Sequence, residues 1–368
     1  MSAVIRFPLA VRDRGQALRA PQPEPRLALL GTGTVGSAFV ERCERLRAQG
    51  ARLPAFAWLS NTRSVREGGA RPLEALAELG AAAPVRRGAW TPRVESEGLR
   101  PGDVVVDATA DDSVAGWHSE WLARGIHVVT ANKLGNGGDL ARAQAIVEAQ
   151  HGGGARYGDS ATVGAGLPLL RSIRELVAGG DRIRAVEGVL SGSLAWLFDR
   201  HDGSRPFSAL VREARELGYA EPDPRTDLSG EDVKRKLLIL ARAAGLALEA
   251  GQVRVDSLLT DALASAPGDE VDALLPSLDA ALHARFRQAA ADGARLRFVA
   301  RFDAEGARVG LDALPASHPL GAGGGTDNIV AIASCRYAHQ PLVIRGPGAG
   351  AGVTAAALLD DVLAIVHR

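Results

Sequence analysis

A short apolar run, Arg26 to Leu30, breaks into Gly31-Thr32-Gly33-Thr34-Val35-Gly36 and then into the helically patterned Ser37 to Arg42. No other stretch restricts the fold of this chain so tightly. A strand that ends in GxGxxG and opens a helix is the context a dinucleotide site requires. The glycines allow a tight turn and close approach of a pyrophosphate, while the helix N-terminus offers unpaired N–H donors and a positive dipole. The spacing therefore predicts a nucleotide-binding βαβ unit with Gly31, Thr32, Gly33, Thr34, Val35 and Gly36 as its cradle.

The following elements extend that unit. A second strand, Ala55 to Leu59, ends at Ser60-Asn61-Thr62-Arg63, where a site for NAD would carry an acid to accept from the ribose 2′-OH. No acid stands there, and Arg63 is placed to meet a 2′-phosphate, which favours NADP. Asp103 to Asp107 reads as a buried parallel strand, followed by Thr109, a helix around Ser113 to Arg124, and a strand from Ile126 to Thr130. That strand ends in Ala131-Asn132-Lys133, at the carboxyl edge where open α/β sheets bind ligands. Further on the rhythm changes. Strand candidates Arg182 to Leu190, Arg295 to Phe302 and Ala307 to Leu314 are separated by helices, including Ser208 to Leu217, Glu231 to Ala244 and Leu278 to Asp292. The fold expected is α/β, a Rossmann-type parallel-sheet domain with a second, α+β domain. The boundaries expected are an irregular leader over 1–25, the nucleotide-binding domain over 26–165, the second domain over 166–325, and a return to the first over 326–368.

Composition narrows the function. With 43 basic against 43 acidic residues the chain is neutral, so it lacks the broad positive field of a general nucleic-acid binder, and the partner expected is a small molecule. No apolar run approaches the length of a membrane span and no secretory signal is evident, so we expect a cytoplasmic protein. Two cysteines, Cys43 and Cys335, build neither a disulfide scaffold nor a metal cluster. The eight histidines show no ligand spacing; His118, His151, His201, His283 and His367 read as helix-surface or loop positions. One bias is informative. Of the 43 basic residues only Lys133, Lys234 and Lys236 are lysine. Where a generic cation suffices this chain uses arginine, so the remaining lysines are candidates for chemistry that guanidinium, effectively never deprotonated, does not perform.

Two of those lysines close the densest polar stretch, Gly218 to Lys236. Prolines 222 and 224 keep Glu221 and Asp223 extended, and Asp227 or Ser229 can cap the helix that follows. On that helix Asp232 and Lys236 are four apart and share a face. The plain alternative is a surface ion pair, worth under about 1 kcal/mol. Against it, Lys236 runs straight into Leu237-Leu238-Ile239-Leu240, which must be buried. A lysine paired with Asp beside an acidic loop suits a site that binds a zwitterion and protonates an oxyanion.

At these residues the chain resembles the homoserine dehydrogenase family, especially the dehydrogenase half of fused aspartokinase/homoserine dehydrogenases. The matching blocks, in family order, are Gly31 to Gly36, His127 to Lys133, Val163 to Pro168, Gly188 to Leu194, Gly218 to Lys236 and Arg345 to Ala356. The resemblance implies NAD(P)-dependent interconversion of L-homoserine and L-aspartate 4-semialdehyde, on a branch toward threonine, isoleucine and methionine. It implies that the second domain binds substrate and forms a homodimer. It also implies that Lys236 donates the proton, Asp232 is its carboxylate partner, and Lys133 lies near substrate and nicotinamide. Glu221, with Asp227, is implied in substrate binding, and Thr109, Gly348 and Gly350 in cofactor contact. Some relatives bind sodium through carbonyls matching Val163, Ala165 and Leu167 and a nearby acid. The acid's position is Ser160 here, and Ala195 stands where the family often has Asn. With no kinase segment ahead and no sensing domain behind, weak or absent threonine feedback through an appended regulatory module is expected, which leaves a direct effect at the active site open. Two rivals are an aspartate-semialdehyde dehydrogenase, for which neither cysteine is a convincing nucleophile, and a non-catalytic dinucleotide sensor, against which the intact Glu221, Asp232, Lys236 and Lys133 set argues.

Overall fold

Strand β1 (Leu27–Leu30) is buried at all four positions because its sheet is covered on both faces. The computed structural model describes residues 24–81, 98–322 and 324–367, so the expected leader falls outside it except for its last two residues. β1 pairs in parallel with β2 (Phe56–Ser60) and with β4 (Val104–Asp107), and β4 in turn with β5 (His127–Thr130) and then β6 (Tyr157–Gly158). β3 (Val65–Gly69) folds back antiparallel on β2, giving the order β3-β2-β1-β4-β5-β6. Nothing in the sequence pattern announces β3, whose Gly68 and Gly69 break any alternation.

One face of this sheet packs Leu27 and Leu29 against Phe39 and Val40 of the helix Thr34–Ala48, and against Leu358, Leu359 and Val362 of the last helix, Ala351–Val366. The other face packs Ala28, Leu30 and Trp58 against Trp121, Leu122 and Ile146. The single helix expected near 113–124 divides at Trp117 into Asp112–Gly116 and His118–Ala123. Asp111 caps the first of these, its Oδ1 accepting from Ser113 N at 2.9 Å and Val114 N at 3.2 Å.

A second, mixed sheet runs in the order β12-β11-β7-β9-β10-β8. Its strands are β7 (Ile183–Val189), β8 (Val253–Val255), β9 (Ala294–Asp303), β10 (Gly306–Pro315), β11 (Asp327–Ser334) and β12 (Leu342–Pro347). Alternate residues of β9, Phe298, Ala300 and Phe302, face a core shared with Leu237, Leu238 and Leu240 of the helix Glu231–Ala243 and with the helices Leu169–Ala178 and Phe207–Glu216.

The return expected from residue 326 onward needs correction. β11 pairs with β7 and β12 with β11, so both strands complete the second sheet. Their apolar residues Val330 and Ile332 join that sheet's core, and only the helix Ala351–Val366 crosses back.

Candidate active site

The glycine turn does what its spacing requires. Gly31 has φ +91°, and a Cβ there would stand 2.8 Å from the Ala108 carbonyl oxygen; one on Gly36 would stand 1.8 Å from that of Gly31. A Cβ on Gly33 would meet nothing within 4 Å, so its absence leaves the mouth of the turn open to a ligand. The helix Thr34–Ala48 has no side-chain cap and no acid in its first turn, so its leading N–H donors remain for an anion. Before it lies a cavity of about 420 Å³, lined by Gly31, Thr32 and Gly33 on one side and by Asn61, Arg63 and Thr109 on another. This cradle fits a dinucleotide. Thr34, Val35 and Gly36 form the helix's first turn behind it, and Gly348 and Gly350 lie outside this cavity. Asn61 shapes the arginine-bearing bend, its Oδ1 accepting from Arg63 N at 2.8 Å and Ser64 N at 3.0 Å.

Beside the cradle, buried polar groups tie the ends of β4 and β5 together. Asp107 Oδ1 accepts from Thr109 N at 2.9 Å, and its Oδ2 lies 2.9 Å from His118 Nε2, whose Nδ1 lies 3.0 Å from the Tyr157 hydroxyl. Burial pushes the Tyr157 phenol well above its ordinary pKa. His118 is fully buried, which overturns its expected helix-surface or loop placement; His201 lies in the loop after its helix, as expected, but is buried too, packed against the rings of Phe207 and Phe286. Asn132 Nδ2 reaches the Asp111 carbonyl at 2.9 Å and Thr109 Oγ1 at 3.3 Å, and its Oδ1 accepts from Leu134 N at 3.1 Å. Lys133, held between these bonds, faces the second domain.

There it meets the predicted pair. Asp232 lies on the first turn of the helix Glu231–Ala243, with Lys236 one turn on. Lys236 Nζ lies 2.8 Å from Asp232 Oδ2, and Lys133 Nζ lies 3.2 Å from Asp232 Oδ1, so one carboxylate bridges two ammonium groups from two domains. Burial opposes ionisation of Asp232, but Lys236 first and Lys133 second outweigh it and hold the carboxyl well below the usual range. Lys236 is 12% exposed and donates a second bond to the Leu190 carbonyl at 2.8 Å.

Asp227 sits near by but does not cap the helix, and neither does Ser229: the N-cap is Gly230, without a side-chain cap, and Ser229 Oγ only accepts from Glu231 N at 3.3 Å. Instead Asp227 Oδ1 accepts from Ser193 Oγ at 2.5 Å and its Oδ2 from Glu221 N at 2.8 Å, fixing the loop that presents the exposed Glu221. Lys234 turns away to Glu231 at 3.3 Å. Sequence reasoning missed Asn328. Its Nδ2 approaches the Leu190 carbonyl at 3.4 Å, and a Cβ on Gly348 would stand 2.1 Å from its Cγ, so Gly348 reaches the site through this residue.

The residues implied for sodium do not fit one. Leu167 O already accepts from Leu169 N at 2.8 Å. Ser160, in the acid's place, donates its N–H and Oγ to Asp361 at 2.9 and 2.8 Å, while Asp159 is engaged by Arg174 at 2.6 Å. The small cavity beside Ala165 and Leu167 carries both Arg171 and Asp360 on its wall, so the one carboxylate there is offset by a guanidinium.

An α/β nucleotide-binding domain whose carboxyl edge meets two lysines on one aspartate of a second domain defines the class, a two-domain protein with a dinucleotide cradle beside a charged cleft. The homoserine dehydrogenase family model matches residues 168–363, and that of the homoserine dehydrogenase NAD binding domain matches residues 31–158. A homoserine dehydrogenase of Emericella nidulans is 35% identical over 93% of this chain and 98% of its own. The chain belongs to the homoserine dehydrogenase family. It is also 43% identical, over 77% of its length, to a chloroplastic bifunctional aspartokinase/homoserine dehydrogenase of Zea mays, and the match spans about a third of that relative, 31%. Among solved structures, a Candida auris protein of unknown function superposes with TM-score 0.83 at 33% identity, covering 94% of this chain and 99% of its own. A hyperthermophilic archaeal homoserine dehydrogenase in complex with NADPH shares the fold, with TM-score 0.69 at 22% identity over 93% of this chain and 97% of its own.

Proposed function

We propose that this chain catalyses the reversible, NAD(P)-dependent interconversion of L-homoserine and L-aspartate 4-semialdehyde. The observation that carries the reading is the Lys133–Asp232–Lys236 bridge at the carboxyl edge of the nucleotide-binding sheet. The nicotinamide, when bound, supplies or receives the hydride at its C4. Every other task falls to the chain. An ammonium has three N–H donors. In Lys236 one is directed at Leu190 O and one at Asp232, which leaves the third for the aldehyde oxygen. That donor stabilises the charge growing on the oxygen and then delivers the proton; in the reverse direction the amine accepts it. Asp232 holds the ammonium in place, and Lys133 adds a second positive charge beside it. Glu221, exposed on the loop fixed by Asp227, offers a carboxylate to the substrate's ammonium.

Three finer statements belong to the same proposal. NADP is preferred: the end of β2 carries no acid, Arg63 lines the cradle, and the archaeal relative is in complex with NADPH. The protein is a homodimer, a reading supported by the edge strand β12, whose Val343 is 44% exposed. It works in the cytoplasm; among the described residues no helix is long and apolar enough to cross a membrane. Sodium has no part in the reaction. The test is oxidation of NADPH and NADH with aspartate 4-semialdehyde, repeated with Arg63→Ala. Turnover with a preference for NADPH that falls in the variant supports the reading; no turnover with either cofactor refutes it.

A further inference from the structure

The last turn of the helix Glu231–Ala243 carries Arg242, an arginine with an unusual set of partners. A cation at a helix C-terminus ordinarily serves that helix's own carbonyls or a surface acid. Arg242 instead crosses to the first domain: its Nη1 donates to the Asn136 carbonyl at 2.6 Å and to the Gly138 carbonyl at 2.8 Å. Its Nε and Nη2 donate to the Leu248 carbonyl at 3.2 and 2.9 Å, which locks the guanidinium plane. Burial lowers its pKa, against the opposing charges of Glu249 and Asp139.

The segment it grips is the short helix Leu134–Gly137, whose N-cap is Lys133. Four residues make too little helix to hold their own shape. Within the first domain the segment is tied by Asn136 Nδ2 to Asp159 at 2.7 Å and by Arg142 Nη1 to Leu134 O at 3.0 Å. Only at its two ends does it bond to the catalytic helix: Lys133 to Asp232 at one, and Arg242 to the carbonyls of Asn136 and Gly138 at the other. Between them the backbones lie nearly in contact, since a Cβ on Gly137 would stand 3.0 Å from Arg235 O and 3.1 Å from Ile239 Cδ1.

We propose that Arg242 is a positioning residue for the reaction: it latches the Lys133 helix of the nucleotide domain onto the Asp232/Lys236 helix, and so sets where Lys133 stands beside substrate and cofactor. This rests on the proposed dehydrogenase activity. Loss of the latch frees the short helix to slide along its neighbour. A misplacement on the order of 1 Å in such a site costs up to about hundredfold in rate.

The experiment is a double-mutant cycle on the full chain, Arg242→Gln with Lys133→Met, measuring kcat, KM and the dissociation constant of NADPH. Arg242→Gln alone should lower kcat by about tenfold or more. Its KM and NADPH affinity should stay near those of wild type, and the pH profile of kcat should change, which a purely structural defect would not do. In the Lys133→Met background it should cost little more, because the latch acts through Lys133. Gly137→Ala, which presses on the same contact with Arg242 intact, should reproduce the kcat loss and keeps the test valid should Arg242→Gln fold poorly. Multiplicative losses in the cycle, with wild-type kcat in Gly137→Ala, would overturn the latch alone; no turnover by the wild type would overturn the activity and the latch together.

Discussion

Replacing Asp232 by Asn removes the charge that lets two ammonium groups share one site, and the consequence can be worked from the distances. Lys236 and Lys133 approach opposite oxygens of the same carboxylate, at 2.8 and 3.2 Å. A carboxylate and an ammonium in contact, about 3 Å apart at an effective dielectric of about 40, attract by about 2.8 kcal/mol. In Asp232→Asn that attraction is lost while the repulsion between the two ammonium groups stays, so Lys236 is no longer held at the aldehyde oxygen. An energy of that size corresponds to about hundredfold in rate, so kcat should fall by up to about that factor. The assay is NADPH oxidation with aspartate 4-semialdehyde, beside NADPH binding as a control for folding. A kcat within a few-fold of wild type, with intact cofactor binding, would refute the claim that this carboxylate holds the two lysines in place.

Other consequences follow from the same geometry. Gly36→Ala places a methyl group 1.8 Å from the Gly31 carbonyl oxygen, backbone that cannot yield, and should cost at least about 3 kcal/mol in chemical denaturation and abolish NADPH binding. Burial pushes the Asp361 carboxyl from 3.8 up to about 6, so the folded state binds the extra proton and stability should fall as pH rises through that window, by on the order of 3 kcal/mol in all. Thermal melts of Asp361→Asn should lack that component; an identical pH slope in wild type and variant would contradict it. Exchanging sodium for choline at fixed ionic strength should leave kcat unchanged, and a rate that tracks sodium would show that the Ser160 and Arg171 environment binds a cation after all.

What the sequence revealed and what it hid divide by range along the chain. Gly31 to Gly36 and the Asp232/Lys236 pair are local patterns, one a turn between strand and helix, the other a single helical turn, and both are legible from spacing. The scarcity of lysine pointed to Lys133, yet not to its partner, because the bond to Asp232 joins residues about a hundred positions apart across two domains. Leu190 contributes only a carbonyl oxygen, which no side-chain pattern can mark. Arg242 was one arginine among many, and its meaning lies in which carbonyls it reaches. His118 reads as a helix-surface or loop position because a polar side chain in a helix expected over 113–124 gives no sign of its partners; contact with Asp107 and Tyr157 buries it. β11 and β12 were read as part of the return to the first domain because the last helix follows them closely, whereas strand pairing assigns them to the second sheet.

The central claim is that the Lys236 ammonium protonates the aldehyde oxygen. The most direct measurement compares wild type with Lys236→Ala in oxidation of NADPH and NADH by aspartate 4-semialdehyde, with NADPH binding measured on the same samples. The account predicts turnover by the wild type and a loss of at least about hundredfold in kcat for the variant, with cofactor affinity preserved. A variant that binds NADPH and turns over within a few-fold of the wild type would contradict it.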